Sequence, residues 1–168
     1  MLKIYKCLSQ LHFAKLMAVY SEGNVKNAVE CYPLEERTVA LKKVEQDFYE
    51  YLCEDFFRHR GACYCVWQLD ESYASALRLE PYGDGFLLEA LETKPELRTK
   101  GYASALIRAV QNFMEGSALY SHVHKRNMAS LKTHLSCGFQ ITQEYAVYID
   151  GSVSQNAYTL CWKREKGR

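Results

Sequence analysis

The chain has 168 residues, 48% of them hydrophobic, and a formal net charge of +1, with 21 Lys and Arg against 20 Asp and Glu. That length buries one core and falls in the usual range of one domain, expected over residues 1–168, while the even spread of charge excludes the whole-molecule field on which nucleic-acid binders rely. No apolar run is long enough to cross a bilayer, and the seven Cys show no zinc-finger spacing, so no membrane segment and no metal site are expected; an odd number of thiols in a chain without a signal peptide predicts a cytoplasmic protein.

Leu2 to Leu8 reads as a first strand. Leu11 to Ser21 reads as a helix with Leu11, Ala14, Met17 and Ala18 on one face, ended by Gly23-Asn24. The longest helical pattern runs from Leu34 to His59, where Leu41, Val44, Phe48, Tyr51, Leu52 and Phe56 recur at steps of three and four after Pro33. From Gly61 the period becomes two. Ala62 to Leu69 and Tyr73 to Glu80 are predicted strands, and the turn Pro81 to Gly85 leads into a fourth strand, Phe86 to Thr93. Tyr102 to Met114 is a helix; Ser121 begins a short strand that ends in a basic loop, and Met128 to Cys137 is a helix with Asn127 as its N-cap and Gly138 at its end. Tyr145 to Ile149 and Asn156 to Trp162 read as a hairpin around Asp150-Gly151-Ser152. The predicted fold is of the α/β (α+β) class: a mixed, largely antiparallel sheet of about seven strands with helices on both faces. Its fourth and fifth strands run parallel through a right-handed crossover, and ligands are expected at their C-terminal ends.

The turn after the fourth strand carries Arg98-Thr99-Lys100-Gly101-Tyr102-Ala103. Unpaired amides and the positive end of the dipole at a helix N-terminus favour a phosphate, a neighbouring Arg or Lys adds charge, and glycine lets the backbone come close to the ligand. The second motif follows as Asn127, a short helix, and Gly138-Phe139. Strand, R-x-x-G-x-A, helix, strand, an Asn-capped helix and a terminal Gly-Phe together resemble the GNAT superfamily of N-acetyltransferases, most strongly over residues 86–139.

The resemblance implies an acyl-CoA acyltransferase fold whose fourth and fifth strands splay apart, with acetyl-CoA as donor and an amine as acceptor. It implies that Arg98, Thr99, Lys100, Gly101, Tyr102, Ala103 and Ser104 cradle the pyrophosphate, that the backbone of Leu91, Glu92 and Thr93 binds the arm and thioester, and that Asn127 touches the cofactor. Many family members have a Tyr four residues before the Gly of the closing Gly-Phe, a position held here by His134. An imidazolium there is a competent proton donor near neutral pH, and a His near a helix C-terminus is also favoured by the dipole alone. For the general base the resemblance offers His122 on the fifth strand and Glu89 or Glu92 on the fourth, with Glu89 and His122 preferred. A Glu89 salt-bridged to Arg78 is the structural alternative. Glu89 and Glu92 point to opposite faces unless a bulge intervenes. Cys137 is read as packing.

For the acceptor, Tyr145, Tyr148, Tyr158 and Trp162, with Tyr32, Tyr49 and Tyr51, either make an aromatic pocket for a cation or simply cover the sheet and helices. With no charged runway for a macromolecule, the expected reaction is acetyl transfer to a primary amine of a small molecule by direct attack in a ternary complex. The protein is expected to be a monomer or homodimer that binds neither nucleic acid nor membrane. The alternatives are acetylation of a protein N-terminus or lysine, and an acyl-CoA-binding module without turnover.

Overall fold

The computed structural model describes residues 1–164, so positions 165–168 of the expected domain lie outside it. Its strands are β1 (Leu2–Tyr5), β2 (Cys63–Leu69), β3 (Ser72–Tyr82), β4 (Gly85–Thr93), β5 (Ala118–His124), β6 (Gln140–Gln143), β7 (Ala146–Val147), β8 (Val153–Ser154) and β9 (Ala157–Trp162). The α-helices are α1 (Phe13–Val19), α2 (Ser21–Cys31), α3 (Arg37–Glu54), α4 (Tyr102–Phe113) and α5 (Met128–Ser136). Seven strands form one sheet in the order β1-β2-β3-β4-β5-β9-β6, and β7 with β8 makes a separate ribbon. Only β4 and β5 pair in parallel, through the crossover helix α4. The expected mixed, largely antiparallel sheet with helices on both faces is what forms.

Alternation along the strands divides the core in two. Leu106, Ile107 and Val110 of α4 and Leu131 of α5 cover Cys65, Leu77, Leu79, Leu88, Leu119 and Leu160 on one face. Leu16 of α1, Leu52 of α3 and Phe56 cover Tyr64, Val66 and Ala76 on the other. Helix α2 packs on α3 through Ala28, Ala40 and Val44.

Three elements differ from the sequence-based expectation. Gly23-Asn24 does not end a helix but lies inside α2, where Asn24 is buried and its Nδ2 donates to Met17 Sδ at 3.4 Å. Tertiary packing overrides the breaker signal there. Pro33 does not start α3, whose N-cap is Glu36, with its carboxylate accepting from the Thr38 amide at 3.4 Å. Tyr145 to Ile149 is not the partner of the last strand: β9 lies between β5 and Gln140–Gln143, a fully exposed edge strand with one apolar residue and hence no alternation to find.

The pairing of β4 and β5 runs from Gly85 with Ala118 to Leu88 with Ser121 and stops there. At its start the backbones are so close that a Cβ on residue 85 would lie 2.0 Å from the Ala118 carbonyl oxygen. Gly85→Ala is therefore expected to cost about 2 kcal/mol or more of folding stability by forcing the strands apart at their origin. Urea denaturation measures it, and a midpoint equal to wild type would show that this contact does not set the spacing.

Candidate active site

Beyond Leu88 the β5 side of β4 has no strand partner, so the backbone from Glu89 to Thr93 borders an open gap. On its other side β4 pairs Glu89 with Arg78 and Glu92 with Ala76, which leaves Ala90 and Leu91 opposite Leu77 alone. This is a β-bulge, with Ala90 in the left-handed region at φ 49°. The bulge returns Glu89 and Glu92 to one face, since their partners Arg78 and Ala76 share one. A hydroxyl chain holds it: Tyr64 donates to Tyr20 at 2.8 Å, and Tyr20 donates to the Ala90 carbonyl at 2.7 Å. Burial pushes the Tyr20 phenol up, so it remains a donor.

At the C-terminal end of β4 a cleft of about 580 Å³ is lined by Leu91, Glu92, Thr93, Arg98, Thr99, Gly101, Tyr102, Ala103, Ser104 and Asn127, and by Glu22 and Lys26 of α2. Every expected cradle residue except the exposed Lys100 lines it. Thr99 and Gly101 lie in the left-handed region, at φ 61° and 84°, and among the described residues the amides of residues 99–104 make no hydrogen bond within the chain. The room before Gly101 is open, with nothing within 4 Å of a Cβ built there. Asn127 Oδ1 caps α5 by accepting from the Ser130 amide at 3.1 Å, which leaves its amide nitrogen as a donor at the cleft. A larger cavity of about 910 Å³ lies over β9 and β6, beside Tyr120 and Lys163, without such a turn of free donors.

His122 lies one position past the last residue of β5 that pairs with β4, on the face it shares with Glu89, since Tyr120 and Leu87 are register partners two residues earlier. Its ring packs edge-on against Tyr82 and Tyr148, at 5.5 and 5.2 Å between centroids, and both nitrogens are buried without a partner among the described residues. Burial lowers its pKa. Glu89 is half-buried, with Arg78 Nη2 at 3.9 Å; burial pushes its carboxyl up against the opposing pull of Arg78. The two preferred bases therefore stand on opposite rims of the gap, and the Arg78 pairing exists too.

A family model described as Acetyltransferase (GNAT) family matches residues 26–139. The chain belongs to the GNAT acetyltransferase family. Comparison with curated protein sequences finds no significant match. Solved structures with the same fold include the PaiA N-acetyltransferase of Thermoplasma acidophilum in complex with coenzyme A, 13% identical with a TM-score of 0.63, over 98% of this chain and 99% of that one. The spermidine N-acetyltransferase of Vibrio cholerae in complex with CoA and spermine is 14% identical with a TM-score of 0.60, over 96% and 94%. A ribosomal-protein alanine N-acetyltransferase of Escherichia coli is 17% identical with a TM-score of 0.55, over 100% and 99%.

Acetyl-CoA is thus the acetyl donor of this N-acetyltransferase, and the cleft fits it: free amides at a helix N-terminus and open space before the glycine suit a pyrophosphate. Arg98 is held by carboxylates, with Glu22 at 2.6 Å and Glu92 at 3.6 Å, while its Nε donates to the Thr93 carbonyl at 3.2 Å. Sequence gave no sign of Tyr20 or Glu22, which come from the helix pair that the Gly23-Asn24 reading broke.

His134, for which a proton-donor role and a structural role both stand open, lies deep in the fold. The ring is 1% exposed and outside the cleft lining; Nδ1 bonds the Ser130 carbonyl at 2.8 Å and Nε2 has no partner among the described residues. Burial lowers its pKa and holds it neutral. The single aromatic pocket does not form either. Tyr148 faces His122, Tyr158 lies under Lys125, and Trp162 packs into the core beside α4 and α5.

Gly101→Val is expected to weaken CoA binding by about tenfold or more, because a branched side chain would fill the phosphate's approach and strain a left-handed residue. Calorimetry on protein shown to be folded by circular dichroism measures it; unchanged affinity would remove the cradle. Glu22→Gln is expected to tighten CoA severalfold at low salt by removing a carboxylate from the phosphate's surroundings, an advantage that fades as salt rises. Because His122 and His134 resist protonation when folded, their unfolded forms bind protons first, so stability is held above about pH 6.5 and lost as pH falls toward their lowered folded pKa values. Urea midpoints across that range should fall in wild type and fall less in His134→Asn.

Proposed function

We propose that the whole chain is one acetyltransferase domain that moves the acetyl group of acetyl-CoA to a primary amine of a small molecule, by direct attack in a ternary complex. The observation that carries this reading is the gap between β4 and β5 with Glu89 and His122 on one face of it and the free-amide turn at its far end. Leu91, Glu92 and Thr93 would border the arm, and residues 98–104 with Asn127 would hold the phosphates. Backbone donors at a developing oxyanion are worth a few kcal/mol of barrier, which an unpaired strand edge is suited to supply.

Glu89 takes the proton of the acceptor ammonium in this reading. Its burial makes it a stronger base than a solvated carboxylate, and it stands where the nitrogen would approach. His122 stays neutral on the other rim and orients the amine. A small acceptor is supported by what roofs the gap. Tyr82 donates to the Val147 carbonyl at 2.7 Å and ties the β7–β8 ribbon over one side. On the other side a cavity of about 420 Å³ reaches Ala90 between α2 and α3. Tyr20 and Phe48 offer ring faces there and Asp47 a carboxylate for a cationic amine, with the Arg78 guanidinium on the same wall beside Glu89.

Mixing the protein with acetyl-CoA, a thiol-reactive dye and a panel of small amines and peptides tests the reaction. Thiol release with small primary amines is the expected result. Release with peptides alone would move the substrate to proteins, and CoA binding without release would make the chain a binding module. With the best amine, kcat/KM should rise with pH through the pKa of the base; Glu89→Gln should lose that limb and about 10²-fold in rate, while His122→Ala keeps the limb. Retention of the limb by Glu89→Gln would pass the role to another group.

A further inference from the structure

Behind Glu89 lies a second carboxylate that the transfer reaction does not need for binding. Glu80 of β3 is 4% exposed and lies on the face it shares with Arg78 and Glu89, diagonal to Glu89 across the β3–β4 ladder. The register sets Glu80 and Glu89 as diagonal neighbours on one face, and the neighbouring Glu80 raises the Glu89 carboxyl. On its far side Glu80 Oε1 is 2.8 Å from His59 Nδ1, and His59 Nε2 is 3.4 Å from Asp55 Oδ1. The His59 side chain is 45% exposed, so this row of groups begins at the gap and ends in water.

The surroundings keep the row closed along its length. Arg78 of β3 lies over the rings of Tyr51 from α3 and Phe56, at 5.0 and 5.7 Å, and faces Glu89. Tyr20 and Tyr64 close the side toward the bulge. The titratable or charged groups that meet the two carboxylates are therefore Arg78, Tyr51 and His59, with Asp55 beside His59 and Tyr20 and Tyr64 beside Arg78.

We propose that Glu80 and His59 form a proton exit, passing to solvent the proton that Glu89 removes from the acceptor ammonium. This rests on the reading of Glu89 as base. The ammonium N–H bond breaks as a Glu89 O–H bond forms, and the freed amine attacks the thioester carbonyl, whose C–S bond then breaks. The nitrogen's second proton goes to the departing sulfur. The first moves from Glu89 to Glu80 and on to His59 Nδ1, and His59 releases one from Nε2 to water, so one proton leaves per acetyl group transferred. A base buried beside its substrate must be emptied before the next cycle, and this row is a route that does not pass through the occupied gap. Burial and the neighbouring Glu80 both push the Glu89 carboxyl up, and contact with Glu80 pushes His59 up, as a shared network requires.

Glu80→Gln, His59→Gln and Glu89→Gln, checked for folding by circular dichroism, are assayed with acetyl-CoA and the amine that turns over fastest in the panel. Glu80→Gln and His59→Gln are each expected to lower kcat by about tenfold with the KM for acetyl-CoA unchanged, and added imidazole should restore much of the loss in His59→Gln. In the protein without CoA, carbon-13 titration of the Glu89 carboxyl should move down in Glu80→Gln, and the imidazole of His59 should titrate lower as well. Full activity in His59→Gln and Glu80→Gln, with activity lost in Glu89→Gln, overturns the exit while leaving the base in place. Full activity in Glu89→Gln overturns the base, and the exit with it. His59 is at the surface, so its variant and the imidazole rescue decide the question even where Glu80→Gln fails to fold.

Discussion

One backbone event governs the site: β4 keeps its ladder with β3 while leaving β5 after Leu88. An extra residue on one strand bends it and increases its twist, which is how the same strand stays paired on one edge and opens on the other. A non-glycine residue in the left-handed region costs about 1–2 kcal/mol, so Ala90 does not hold φ 49° by preference. The two tyrosine hydroxyls are each worth about 1 kcal/mol as hydrogen bonds, enough together to offset that strain. Tyr20, at the junction of α1 and α2, thus fixes the shape of the strand edge that borders the gap, which ties the first helical layer to the site.

The same opening separates two electrostatic settings. At the C-terminal end, the helix dipole, free amides and Arg98 favour phosphates, and the carboxylates of Glu22 and Glu92 keep Arg98 paired in their absence. On the face under α3, Glu89 and Glu80 face one guanidinium and one imidazole. A phosphate and an ammonium would therefore find complementary charge at different places along one gap, on a protein whose formal net charge is only +1.

Legibility in the sequence followed the locality of each signal. The R-x-x-G-x-A turn, the Asn127 cap and the strand-helix-strand order are set by neighbours in the chain, and the turn residues that line the cleft, Lys100 excepted, could be named from them. The bulge was not, because nothing in Glu89-Ala90-Leu91-Glu92 marks a left-handed alanine, and only its pairing with β3 and the hydroxyl of Tyr20, 70 residues away, define it. Helix α2 was hidden by Gly23-Asn24, whose helical state depends on burial against α1 and α3. His134 was legible as a departure from the family's Tyr, yet its neutrality follows from burial among residues of the core, a tertiary property.

Evolved cores lose stability where they keep ionisable groups, since a well-packed apolar replacement of a buried ion pair is often neutral or better. The Arg78, Glu80 and Glu89 set is such an investment, and Arg78 Nε lacks any partner among the described residues. A purely structural β3–β4 pair would gain from apolar side chains at these positions, as the opposite face of the same strands shows with Leu77, Leu79 and Leu88. The polar set is confined to the face of the gap that carries Glu89 and His122. Its location, rather than any contribution to folding, is what gives the charged residues a physical reason to be there.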